Sequence, residues 1–76
     1  MLLKNIDKLH TTDLGVIRIK KNLKIECNDV VEYLKEKVLK KDAYIYKKGK
    51  NYYVEIDNII ITINSYNYSI ITAHIK

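Results

Sequence analysis

The sequence has no proline, phenylalanine or tryptophan, two glycines, one methionine and one cysteine. Without Phe and Trp, a core has to be assembled from Ile, Leu, Val and Tyr. The lone cysteine, Cys27, excludes an internal disulfide, and one cysteine with two distant histidines gives no metal-ligand spacing, so no metal is expected. Arginine is nearly missing as well: of 14 basic side chains thirteen are lysines, which leaves Arg18 alone. Lysine is a flexible point charge suited to phosphate, whereas bidentate reading of bases favours arginine, so the composition leans towards backbone contact over sequence readout. No run approaches the roughly 18 apolar residues of a membrane span, and the apolar part of MLLKNIDKLH is too short for a secretory signal. A cytoplasmic protein without a membrane role is the expectation. The missing proline, beside abundant Lys, Asn, Ile and Tyr, reads as the codon bias of a genome rich in A and T.

A chain of 76 residues buries only about 60% of its unfolded surface, which leaves little room for a large enclosed cofactor pocket, and no cofactor is expected. Apolar residues make up 47% and charged ones 30%, a globular composition and not that of a disordered chain. The net charge of +5 favours anionic partners, RNA or an acidic protein surface.

In chain order, Leu2, Leu3, Ile6 and Leu9 recur at helical spacing and predict a short helix over residues 2–9. Thr11 and Thr12 offer cap oxygens, Asp13 suits a first turn, and residues 14–23 read as a second helix with Arg18, Lys20 and Lys21 outward. Gly15 inside it costs about 1 kcal/mol relative to alanine, so it marks a close backbone approach. A third helix follows the Asp29 cap, with Val30, Val31, Leu34 and Val38 in one stripe and a solvated Lys/Glu side. After Asp42 the period falls to two. Residues 43–47 and 51–56 read as strands joined by Lys48-Gly49-Lys50, with Tyr52, Val54 and Ile56 on the core side and Tyr53 and Glu55 opposite.

Residues 58–76, NIIITINSYNYSIITAHIK, read as a second hairpin turning at Ser65-Tyr66-Asn67. Alternation puts Ile59, Ile61, Ile63, Ile71, Ala73 and Ile75 towards a core and Thr62, Asn64, Tyr68, Thr72 and His74 on the other face. The expected fold is α+β and a single domain. A helical part over residues 1–41 packs two or three helices on one face of a four-stranded antiparallel meander over residues 42–76, whose other face stays open.

The blocks LHTTDLGVIRIKKNL, DVVEYLKEKV, KKGKNYYVEIDN and TINSYNYSIITAH resemble the DUF3781 family, small bacterial proteins of unknown function. The resemblance covers most of the chain, is most specific in Leu-His-Thr-Thr and Ile-Ile-Thr-Ala-His, and implies no activity. In arrangement alone, helices before a four-stranded sheet with a free face also resemble the metal-independent ribonucleases of the barnase, EndoU, colicin and RelE group, an analogy of architecture.

The candidate chemistry follows. Metal-free RNA cleavage needs a base for the 2′-hydroxyl, an acid for the leaving oxygen and cations for the phosphorane, and His10 and His74 are the two histidines available. As ordinary residues they are a helix-boundary and a terminal polar side chain. Arg18, Lys47, Lys48 and Lys50 are the candidate phosphate contacts, with Tyr53 for base stacking; a solvated turn is the plain alternative. Tyr44, Tyr46, Tyr66 and Tyr68 join Tyr53 as candidates for the open face, although strand propensity accounts for them equally well. Thr62, Asn64 and Thr72 either position phosphate or His74, or bond between strands. Glu55 is a reserve general base, and Cys27 has no nearby histidine to activate it. The leading expectation is a small basic RNA-binding protein, with toxin-type metal-independent endoribonuclease activity as its finer form. The alternative is a non-enzymatic inhibitor from a phage or mobile element that binds a host nuclease or nucleic-acid complex. An exposed edge strand leaves a homodimer open.

Overall fold

In the computed structural model, which describes residues 2–76, a 3-10 helix (Leu3–Lys8) and two α-helices precede the sheet. The α-helices are α1 (Asp13–Leu23) and α2 (Val30–Val38); the strands are β1 (Tyr44–Lys48), β2 (Asn51–Ile56), β3 (Ile59–Asn64) and β4 (Ile70–Ile75). All neighbouring strands pair antiparallel in the order β1-β2-β3-β4. This is the α+β meander that the switch of period from helical to two predicts.

Side-chain caps set where the α-helices begin. Thr12 Oγ1 accepts the Gly15 N–H at 3.0 Å, and Asp29 Oδ1 accepts the Glu32 N–H at 3.0 Å. Lys20 and Lys21 stand in the last turn of α1 and Lys35 and Lys37 in that of α2, favourable against the helix dipoles. The first helix differs from the expected one. It is 3-10, has no side-chain cap, and is interrupted at Asn5 (φ −116°, ψ 22°), so Leu3 is exposed while Leu2 and Leu9 are buried.

The core lies between the helices and one sheet face. Leu2, Leu9, Ile19, Leu23, Val30, Leu34 and Val38 meet Val54, Ile56, Ile59, Ile61, Ile63, Ile70 and Ala73. Each large aliphatic side chain so buried contributes about 1.5–3 kcal/mol, which makes this layer the main source of stability. Leu14 and Ile17, which share the apolar spacing of α1, are 74% and 63% exposed; only the side bearing Gly15, Ile19 and Leu23 meets the sheet.

Two expected core positions in β4 are not buried, one because of a bulge and one because it ends the strand. Thr62 pairs with Thr72 but Ile63 pairs with Ile70, so Ile71 is an extra residue and is 41% exposed. Ile70 occupies the core position that strict alternation assigns to Ile71. Ile75 keeps its register against Ile59, yet at the strand end it is 44% exposed.

Gly15 has a local cause. A Cβ there would collide with Thr11 Oγ1, and Thr11 is fixed because that hydroxyl donates to the Ile70 carbonyl at 3.0 Å. The glycine lets the start of α1 approach β4. Gly15→Ala is therefore expected to lower stability by about 1–3 kcal/mol, the usual range for overpacking, instead of adding the roughly 1 kcal/mol of helix propensity. Urea denaturation checks this, and the penalty should shrink in a Thr11→Ala background; a stabilised Gly15→Ala would contradict it.

At the opposite end of the sheet, Asp57 (φ 50°) and Asn58 (φ 66°) form the β2–β3 turn in left-handed conformations that Asp and Asn tolerate. The Asp57 carboxylate accepts Lys37 Nζ at 2.6 Å and Lys40 Nζ at 2.7 Å, joining the end of α2 to this turn. The bond from Lys37, then that from Lys40, holds the Asp57 carboxyl below its ordinary value, and Lys37 is raised in return. A depressed carboxyl contributes stability that is complete above its unfolded pKa of about 3.9 and is lost as pH falls through the lower folded value. Asp57→Asn keeps the turn and removes the charge. Its melting temperature should lie below wild type at neutral pH and converge with it in strong acid; a constant difference across that range would contradict the ion-pair account.

Candidate nucleic-acid interface

The strand register defines the sheet face that the core leaves bare. Tyr44, Tyr46 and Lys48 of β1 lie beside Glu55, Tyr53 and Asn51 of β2, and these beside Ile60, Thr62 and Asn64 of β3. Thr72 and His74 of β4 complete the rows. Tyr46 and Tyr53 are cross-strand partners with stacked rings 5.4 Å apart, and Tyr44 sits 5.2 Å from Tyr46 at a tilt of 37°. Tyr44 is 63% exposed. The three rings form a ladder, each ring partly held by the next, so a base added to it meets surfaces already ordered.

Glu55 is the one carboxylate in these rows, and it is occupied. Lys76 Nζ lies 2.6 Å from Glu55 Oε1, and this bond, helped by one from Tyr46, lowers the Glu55 carboxyl and raises Lys76. Burial, then the charge of Glu55, raises the Tyr46 hydroxyl. A carboxylate held in this way is a weak proton acceptor, so Glu55 is poorly suited to the reserve role of general base.

Positive charge gathers at one end of the ladder. Gly49 (φ 62°) and Lys50 form a two-residue turn between Lys48 and Asn51, with Lys47, Lys48 and Lys50 exposed. Both the backbone N–H and the hydroxyl of Ser65 donate to the Lys50 carbonyl, at 2.9 and 2.8 Å. The β3–β4 turn is thereby fastened to the lysine turn, and Tyr66, 75% exposed, stands beside it.

Other candidates have structural work. Asn64 Oδ1 accepts the N–H groups of Tyr66 and Asn67 at 2.8 and 3.2 Å, an Asx turn that uses the amide oxygen proposed for phosphate positioning. Thr62 is buried between Tyr53 and Thr72, and Thr72 Oγ1 accepts Asn22 Nδ2 of α1 at 3.3 Å. Tyr68 (φ 59°) is not on the open face. Its left-handed backbone turns it towards the core, where it stacks on Tyr52 at 6.4 Å beneath Lys8.

The histidines stand at different ends of β4. His10 forms a parallel bridge with Ser69, just before the strand, and its Nδ1–H donates to the Lys8 carbonyl at 2.8 Å. His74 pairs with Ile60, five residues further along. At a rise of about 3.3 Å per residue the two positions are roughly 16 Å apart along the strand, whereas an acid and a base acting on one phosphate each need hydrogen-bond reach of about 3 Å to it. Arg18, exposed on α1, is also remote from the lysine turn. α1 flanks β4 while the turn begins at β1, about 14 Å away across three strand spacings. The structure thus gathers Lys48 and Lys50 at the end of the face that carries Tyr53, turns Lys47 to the opposite face beside Tyr52, and leaves His10, His74 and Arg18 apart. Tyr46 emerges as the ring partner of Tyr53, with Tyr44 against Tyr46, a relation that the hairpin register sets by pairing Tyr46 with Tyr53.

The family described as "Protein of unknown function (DUF3781)" matches residues 3–74. The chain belongs to the DUF3781 family. No curated protein and no solved structure matches it. Among the described residues of this DUF3781 chain, no helix is long and apolar enough to cross a membrane.

Proposed function

We propose that this DUF3781 protein binds single-stranded RNA on its open sheet face, without chemistry of its own. The observation that carries the proposal is the Tyr44–Tyr46–Tyr53 ladder running into the turn that bears Lys48 and Lys50. Stacked tyrosines on a flat face can receive unpaired bases but cannot enter a duplex, so the geometry favours single strands. Stacking contributes about 1–3 kcal/mol per base and tolerates any base, while the lysines offset backbone charge without reading sequence. Glu55 does not oppose this, since Lys76 neutralises it. Cleavage in the manner of a toxin ribonuclease is the less supported form, because a two-histidine acid–base pair would have to span the length of β4. Docking of the same face on an acidic protein, as an inhibitor would, lacks a use for the ring ladder.

Fluorescence anisotropy with a labelled single-stranded RNA of mixed sequence tests the reading. Log affinity should fall with log salt by about 0.7 per neutralised phosphate, and Lys48→Ala with Lys50→Ala should flatten that slope by about 1.4. Tyr44→Ala should weaken binding roughly 5- to 100-fold, as expected for the loss of one stacked base, with little change in the slope. The RNA should remain intact in gels. Affinity unaffected by all three substitutions would overturn the proposal, and cleavage in EDTA would restore the enzyme reading.

A further inference from the structure

β1 closes the sheet at one side, with β2 as its neighbour on the other. Lys48 and Asn51 close a two-residue turn, where the closing pair is hydrogen-bonded and bonded pairs then alternate. Lys48, Tyr46 and Tyr44 accordingly bond to β2, and Ile45 and Lys47 turn their amide and carbonyl groups outward. No proline and no bulge blunts this edge.

We propose that β1 pairs antiparallel with β1 of a second copy, in the register that sets Tyr46 opposite Tyr46 on a twofold axis. Outward groups must meet outward groups, which restricts a symmetric pairing to registers centred on Ile45, Tyr46 or Lys47. Centring on Lys47 opposes two lysines, and centring on Ile45 leaves Lys47 and Lys48 beyond the overlap of the two strands. Centring on Tyr46 uses the whole strand: Ile45 faces Lys47, and Tyr44 faces Lys48 of the second copy, an aromatic–cation pair. No like charges then stand directly opposite each other.

A second observation points the same way. Beside the edge, Leu2, Leu3, Ile45, Tyr46, Lys47 and Tyr52 line an apolar cavity of about 260 Å³, open to solvent. Ile45 and Lys47 project to that side of the sheet, so the Ile45 of the second copy, placed opposite Lys47, would cover the cavity mouth. Pairing would make one eight-stranded sheet, with Tyr53 and Tyr46 of each copy in a continuous row across the axis. The inference rests on the edge and the cavity and stands whether or not the face binds RNA. Because each copy carries +5, association should tighten as salt rises, opposite in sign to RNA binding.

Sedimentation equilibrium of the full chain, from micromolar to millimolar concentration, should show a reversible dimer that strengthens with sodium chloride. Lys47→Pro removes an outward N–H and spares the β1–β2 ladder, so it should be monomeric with an unchanged circular dichroism spectrum. In a Cys27→Ser background, Tyr46→Cys should form a disulfide-linked dimer with oxidised glutathione, whereas Tyr44→Cys, displaced from the axis, should not. A chain that is monomeric throughout, a dimer that survives Lys47→Pro, or equal cross-linking at both cysteines would each overturn the proposal.

Discussion

The buried apolar side chains of β2, β3 and β4 fall on one side of the sheet, and the helices pack on that side. In a chain of 76 residues without Phe or Trp, the apolar side chains left outside this core, Leu14, Ile17 and Leu39 among them, are exposed to solvent and do not cover the other face. Ile61, Ile63 and Val54 are fully buried beneath Ile19, Leu34 and Val38, while their sequence neighbours project the opposite way as Tyr53, Thr62 and Glu55. One-sided burial thus leaves the tyrosine ladder outside the core, with Tyr44 exposed and Tyr46 and Tyr53 half-buried. The helices make the core on one face and leave the other uncovered.

Polar contacts fasten this arrangement at both ends. Asp57 binds the last turn of α2 to the β2–β3 turn, and the Lys50 carbonyl binds the β3–β4 turn to the lysine turn. The second contact holds the turn of Lys48 and Lys50 against the Tyr66 turn at one end of the ladder instead of leaving two independent loops. The lysines would meet a ligand from a fixed base, which reduces the ordering cost of binding.

Much of the fold was legible in the sequence because several cues agreed. Thr12 and Asp29 cap where cap chemistry predicts, and the alternation of Tyr52, Val54 and Ile56 and of Ile59, Ile61 and Ile63 identifies their core face. β4 resisted the same reasoning. In Ile-Ile-Thr-Ala-His-Ile either of the first two isoleucines can face inward, and the choice depends on a bulge set by the preceding Asx turn and by Thr11 bonding Ile70. The bond from Thr11 is a tertiary contact, fifty-nine residues away in the chain, that the alternation of β4 does not encode. Tyr68 was misplaced for a related reason, since its left-handed backbone breaks the alternation on which its face was assigned.

The candidate site divides along the same line. Lys48, Lys50 and Tyr53 are close in sequence across one hairpin, so their proximity followed from a local turn, while alternation sends Lys47 to the other face. The relation of His10 to His74 depended on where the segment before α1 meets β4, which spacing does not encode, and they lie towards opposite ends of that strand. The central claim is that the bare tyrosine face, and not the basic helix α1, is the recognition surface. The most direct measurement is a two-dimensional NMR titration of the labelled protein with single-stranded RNA. The account predicts shifts at Tyr44, Tyr46, Lys48, Asn51 and Tyr53 with α1 unmoved; shifts centred on Arg18 and its neighbours in α1 would contradict it.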